Sequence, residues 1–69
     1  MTEYLVVDVA GRELSESRSL KGAREAVRVH LREDGEQGPL TIMGLDGPMQ
    51  KGDLDACGNV VFTNVVRRA

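Results

Sequence analysis

Aromatic side chains are almost missing from this chain: Tyr4 and Phe62 are the only two, and tryptophan is absent. Binding of single-stranded nucleic acid by stacking needs several exposed rings, so a base-stacking platform has little to build on. Cysteine is as scarce. Cys57 stands alone, which excludes an internal disulfide and a multi-cysteine zinc site. Beside Ala56 and Gly58 it is expected as a small buried or half-buried residue. No apolar run approaches the roughly 20 residues of a membrane span; the longest are Tyr4–Val7 and Val60–Phe62. Met1-Thr2-Glu3-Tyr4 has no basic flank and no long apolar region, so no signal peptide and a cytoplasmic location are expected.

A dominant charge is lacking too. Nine basic residues face eleven acidic ones, a net charge of −2, so the overall balance recruits neither nucleic acid nor an anionic membrane. The distribution is uneven. Between Leu20 and Glu33 the cations Lys21, Arg24, Arg28 and Arg32 outnumber Glu25 and Glu33, whereas between Asp34 and Asp55 only Lys51 offsets Asp34, Glu36, Asp46, Asp53 and Asp55. Such a split favours association with copies of the same chain or with other charged partners. Most of the cations are arginine, a bias common in GC-rich bacterial genomes and their phages.

What remains is a soluble composition, 41% hydrophobic and 29% charged over 69 residues, read as a single domain spanning 1–69. A domain of this size buries only about 60% of its unfolded surface. Residues 3–9 alternate as a strand, with Leu5, Val7 and Val9 on one face and Tyr4, Val6 and Asp8 on the other. Polar residues 12–18 are expected as a solvated edge strand closing a hairpin on the first, with a lead-in loop as the alternative. Ser19 has the chemistry of a helix N-cap. After it, Leu20, Ala23, Val27 and Leu31 form one apolar stripe, with Ala26 and His30 beside it. The helix should end near Asp34, where Gly35 can cap it and Pro39 prevents resumption. Gly22, inside the first turns, would let the helix approach a strand closely.

Leu40-Thr41-Ile42-Met43 reads as a short strand, followed by a compact turn at 44–48, while residues 49–57 stay open. Gly58-Asn59 suits a two-residue hairpin turn before a strong strand at 60–66 that is apolar on both faces. No internal repeat is evident. The expected fold is α+β: one helix on an antiparallel sheet of three to five strands, in the order β(β)αβ(β)β. A helix on one side leaves the other sheet face bare, and Tyr4, Val6, Val61 and Val65 are expected there, as a homodimer interface or docking surface. The alternative is that segment 48–57 covers them.

Lys21, Arg24, Arg28 and Arg32 follow spacings of three, four and four, and so form a ridge along one helix flank. It can grip phosphates or the carboxylates of an acidic partner, or it is a solvated face whose aliphatic stems cover the edge of the core. Arg67 and Arg68 extend it only if the last strand ends beside the helix. Gly35-Glu36-Gln37-Gly38 has the G-x-x-G spelling of a phosphate clamp, but Glu36 repels phosphate and Pro39 prevents the required helix. No G-x-G-x-x-G or G-K-[ST] motif occurs. Asp53-Leu54-Asp55 begins like a calcium loop, yet Cys57 and Asn64 occupy two essential ligand positions.

His30 and Asp34, four residues apart, could share a proton or a metal, with Cys57 as a further ligand only if the fold brings it near. The plainer reading is a half-buried histidine at the stripe boundary. Ser15, Ser17 and Ser19 lack a nucleophile elbow. Neither catalytic residue, metal ligand, cofactor nor small-molecule substrate is indicated, and no enzyme is expected.

The order of strand, polar strand, Ser-capped helix, then Leu40-Thr41-Ile42 with Gly44-x-Asp46-Gly47, resembles small strand-strand-helix-strand proteins of unknown function from bacterial and phage genomes. The likeness covers residues 4–48 and implies a compact accessory or host-directed protein without a catalytic site. The leading expectation is a non-catalytic protein-binding or regulatory module, acting as a homodimer or by docking on a larger bacterial protein. Nucleic-acid binding through the basic ridge is the alternative.

Overall fold

The computed structural model describes residues 3–65. They form β1 (Tyr4–Val7), β2 (Glu13–Ser17), α1 (Leu20–Arg32), β3 (Leu40–Gly44), β4 (Gly47–Leu54) and β5 (Val60–Asn64). All five strands join one antiparallel sheet in the order β2-β1-β3-β4-β5, so β2 and β5 are its edges. The α+β architecture is as expected. Residues 12–18 do supply an edge strand, and most of 49–57 belongs to β4 in the plane of the sheet, where it cannot cover a face.

The helix is built as its sequence dictates. The Ser19 hydroxyl accepts from the Gly22 N–H at 3.0 Å, the last turn closes with Glu33 N–H on the Val29 carbonyl, and Gly35 follows with φ 68°. Ala23, Val27 and Leu31 are buried against Val6, Leu40 and Ile42, with Tyr4, Leu14, Leu20, Ala26, Val60 and Phe62 packed around that centre. Two glycines let the helix lie close. A Cβ at Gly22 would run into the Ser17 hydroxyl of β2. One at Gly52 would lie 2.7 Å from Val27 Cγ1 and 3.0 Å from the Phe62 ring, so the buried Gly52 is where α1 rests on β4.

The expected faces of β1 are reversed. Val6 is fully buried beneath the helix and Tyr4 packs beside it, so neither populates the bare face. Alternation defines two residue sets without saying which one meets the helix. Within β1 each set holds two apolar residues, Leu5 and Val7 against Tyr4 and Val6. β1 ends at Val7, and Val9 is 66% exposed in the following loop. Val61 does lie on the face away from α1, since its neighbour Phe62 packs on the core, and it is 49% exposed. Val65 follows β5, half-buried, its N–H bonded to the Met49 carbonyl. Val66, Arg67 and Arg68 lie outside the described residues.

A repeat invisible as a pattern is plain as hydrogen bonding. In Asp8-Val9-Ala10-Gly11-Arg12 the Asp8 carboxylate accepts from Ala10 N–H (3.0 Å) and Arg12 N–H (2.8 Å). In Asp55-Ala56-Cys57-Gly58-Asn59 the Asp55 carboxylate accepts from Cys57 N–H (2.8 Å) and Asn59 N–H (2.9 Å). Each loop is closed by the aspartate N–H on the fifth carbonyl and the glycine N–H on the aspartate carbonyl. Both glycines sit at φ 84°, where a side chain is strained. The second hairpin therefore turns through Ala56-Cys57-Gly58, correcting the Gly58-Asn59 turn. Cys57 is exposed on that loop, correcting its expected burial.

Candidate functional site

β5 holds five residues, Val60-Val61-Phe62-Thr63-Asn64, with no charge, no proline and an unbroken register against β4. Its outward backbone groups can be assigned from the ladder. Asp55 N–H bonds the Asn59 carbonyl at 2.8 Å and Val65 N–H bonds the Met49 carbonyl at 2.9 Å. Antiparallel hydrogen-bonded pairs recur at every second residue. Asn59, Val61, Thr63 and Val65 therefore face β4, while Val60, Phe62 and Asn64 turn their N–H and C=O groups outward. Among the described residues no strand takes them up.

The same three residues carry their side chains on the helix side, because Val60 and Phe62 pack against the core and strand side chains alternate. There they meet the basic ridge. The Arg28 guanidinium lies 5.3 Å from the Phe62 ring centroid and that of Arg24 5.9 Å, within cation–π range. Arg24 Nε donates to Gln50 Oε1 at 2.9 Å, and Gln50 Nε2 donates to Asn64 Oδ1 at 2.8 Å. This relay draws Arg24 over the sheet. Arg28 also pairs with Glu25 at 3.1 Å. Lys21 and Arg32 are exposed on the helix and take part in no ion pair among the described residues. Two members of the ridge, Arg24 and Arg28, thus roof Phe62 with their guanidinium groups, while Lys21 and Arg32 stay exposed on the helix.

The face away from the helix is less coherent. Leu5, Met43 and Pro48 are successive partners across β1, β3 and β4, but the next row runs Val7, Thr41, Lys51 and Thr63. A shallow depression lined by Glu3, Leu5, Glu13, Met43 and the 88%-exposed Leu45 lies at its β2 side. Val61 stands apart on β5, and Tyr4 and Val6 are on the opposite face, so the four apolar residues expected to act together do not.

Ser15, His30 and Asp34 come together unexpectedly. His30 Nδ1 is 2.8 Å from Asp34 Oδ2, and Nε2 is 3.3 Å from Ser15 Oγ. The connectivity is that of a serine–histidine–carboxylate relay. Ser15 pairs with Val6, however, and so faces the helix. What the relay does is tie the C-terminal end of α1 to β2. No group of three or more His, Cys, Asp or Glu able to hold a metal occurs among the described residues, and the Asp55 carboxylate is engaged by loop N–H groups.

Among the described residues, Asp8 has its ionisation displaced by its loop. The Arg12 backbone N–H donating to its carboxylate holds the carboxyl below its ordinary value, aided by Ala10 N–H and by the Arg12 guanidinium at 3.2 Å.

No family model, curated protein or solved structure matches this chain. No helix among the described residues is long and apolar enough to cross a membrane. Sequence reasoning missed Gln50, Gly52 and Asn64, whose roles depend on β4–β5 register. The Ser15–His30 contact was missed likewise, because fifteen residues and a strand-to-helix passage separate the pair.

Proposed function

We propose that this chain is a non-catalytic protein-binding module that takes an extended segment of a partner chain onto the outer edge of β5. The observation that carries the reading is the unguarded edge itself. Three outward-facing residues, Val60, Phe62 and Asn64, present backbone groups that no strand among the described residues takes up, in a strand without charge, proline or bulge, the devices by which sheet edges are normally blunted. Strand addition uses main-chain hydrogen bonds for affinity and alternate side chains for specificity. The arginine-rich composition and the resemblance of residues 4–48 support a small accessory protein of bacterial or phage origin, acting in the host cytoplasm. Nucleic acid competes for the ridge, but the rings it would stack on are taken: Phe62 is roofed by Arg24 and Arg28, and Tyr4 faces the helix.

The test is amide exchange by NMR during titration with extended peptides of mixed sequence. Protection gained at Val60, Phe62 and Asn64, with Val61 and Thr63 unchanged, is the expected result. If no peptide alters exchange at those three amides, the edge is not a binding site.

A further inference from the structure

We infer that the segment accepted by β5 is acidic, with carboxylates at alternate positions; this rests on the edge reading above and names its occupant. The relevant geometry is a match of repeats. Arg24 bonds Gln50, Val27 rests on Gly52, and Leu31 lies by Gly38 next to Asp53, so α1 runs alongside β4 and hence alongside β5. Arginines at 24, 28 and 32 recur every four helical residues, about 6 Å along the axis. Alternate residues of a strand recur at about 6.8 Å. An added strand places directly opposite Val60, Phe62 and Asn64 the residues whose side chains point to the helix side, because cross-strand partners share a face. Successive carboxylates there fall beside Arg24 and Arg28, the two arginines that stand over Phe62. The intervening residues fall on the other face, next to Val61 and Thr63, and are best apolar or β-branched.

Charge also argues against a second copy as occupant. Pairing β5 with its own equivalent about a two-fold axis at Phe62 sets both helices on one side of a continuous sheet. Arg24 and Arg28 of each chain then face those of the other, a like-charge juxtaposition that costs affinity. A carboxylate-bearing strand relieves that same field. Bidentate bonds from guanidinium to carboxylate are among the stronger ones available at a surface, and Arg24 is already oriented for them by Gln50 and Asn64.

The experiment uses the full chain and three short synthetic peptides: one alternating Glu with Val and Thr, one of the same composition with its glutamates consecutive, and one with Lys replacing Glu. The alternating acidic peptide should bind and protect the amides of 60, 62 and 64. The consecutive isomer should bind about tenfold more weakly, a difference of about 1.4 kcal/mol, and the lysine peptide should not bind measurably. The double substitution Arg24→Gln with Arg28→Gln should abolish the preference; Arg28→Lys keeps the charge and the roof over Phe62, and should retain most of it. Equal binding of all three peptides at β5 overturns the acidic occupant and leaves the edge reading standing, whereas no protection from any peptide overturns both. Concentration-dependent protection of the same amides without peptide, accompanied by a doubled mass in light scattering, assigns the edge to a second copy and overturns the inference. Displacement of the bound peptide by equimolar single-stranded oligonucleotide does the same in favour of nucleic acid. Shifts confined to Leu5, Met43 and Leu45 move binding to the opposite face and overturn it too.

Discussion

Strands β2 and β5 both leave an Asp-x-x-Gly loop with the same hydrogen bonds, and both end the sheet, yet only β2 carries features that stop a sheet from growing. It holds Glu13 and Glu16, its register against β1 is broken by a bulge between Val6 and Val7, and its Ser15 is tied to the helix through His30. β5 has neither charge nor bulge, although its Asn64 is tied to the helix through Gln50 and Arg24. Its register is unbroken and it carries no charge, and the guanidinium groups of Arg24 and Arg28 stand over its Phe62. Identical turns therefore do not impose identical edges: the loop sets where a strand starts, and the strand's own side chains decide whether another strand can follow.

The comparison can be tested first at the two glycines that seat the helix. Gly52→Ala should be the most damaging change, because its Cβ meets the fully buried Val27 and the Phe62 ring packed against the core. Overpacking of this kind costs about 1–3 kcal/mol and should show as a drop of several degrees in the midpoint of thermal unfolding. Gly22→Ala meets the far ends of two serine side chains, the Ser17 hydroxyl and, at 3.1 Å, the capping Ser19 hydroxyl, and gains up to ~1 kcal/mol of helix propensity. Its net effect should stay within about 1 kcal/mol of zero, measured by urea denaturation. A larger loss there than at Gly52 would reverse the view that β4 and β5 are the tighter side.

Next come the loops. Asp55→Ala removes an acceptor of two loop N–H groups and should cost about 1–2 kcal/mol, with faster amide exchange at Cys57 and Asn59. At the other loop the readout is pH. Because the folded-state pKa of Asp8 is depressed below the ordinary 3.8, its contribution is fully present above that value and is lost as pH falls through the lower folded value. Acid unfolding curves should therefore show a component below about pH 4 that Asp8→Asn lacks. If the two proteins titrate in parallel, the Arg12 contacts do not stabilise that loop.

The smallest stability effect is expected for Val61→Lys, under about 0.5 kcal/mol at so exposed a position. It gives β5 a charged side chain, as β2 already has in Glu13 and Glu16, though of opposite sign. Any tendency of the protein to self-associate at high concentration should fall, as read by light scattering. Unchanged association would show that the edge is guarded already.

Much of the fold was legible because it rests on local rules. The helix from Leu20, its Ser19 cap, its buried stripe and its glycine stop follow from periodicity and capping chemistry, and the polar strand at 13–17 could be placed at an edge because it has too little to bury. The ridge was legible as a row of residues, though not as a roof over Phe62. Legibility failed at β1, where alternation is symmetric between two faces and does not say which of them meets the helix. It failed also for the paired Asp-x-x-Gly loops, since five-residue turns sharing only two identities do not stand out until their hydrogen bonds are seen.

By itself the sequence determined that this chain forms one amphipathic helix and several short strands, and that cations concentrate on one helix flank, because each of these depends on neighbours within a few positions. Only the tertiary structure decided that Tyr4 and Val6 lie inside, that Gly52 is the seat of the helix, and that the arginines stand beside an open strand. Those outcomes depend on strand order and register, which are set by contacts between residues far apart in the chain.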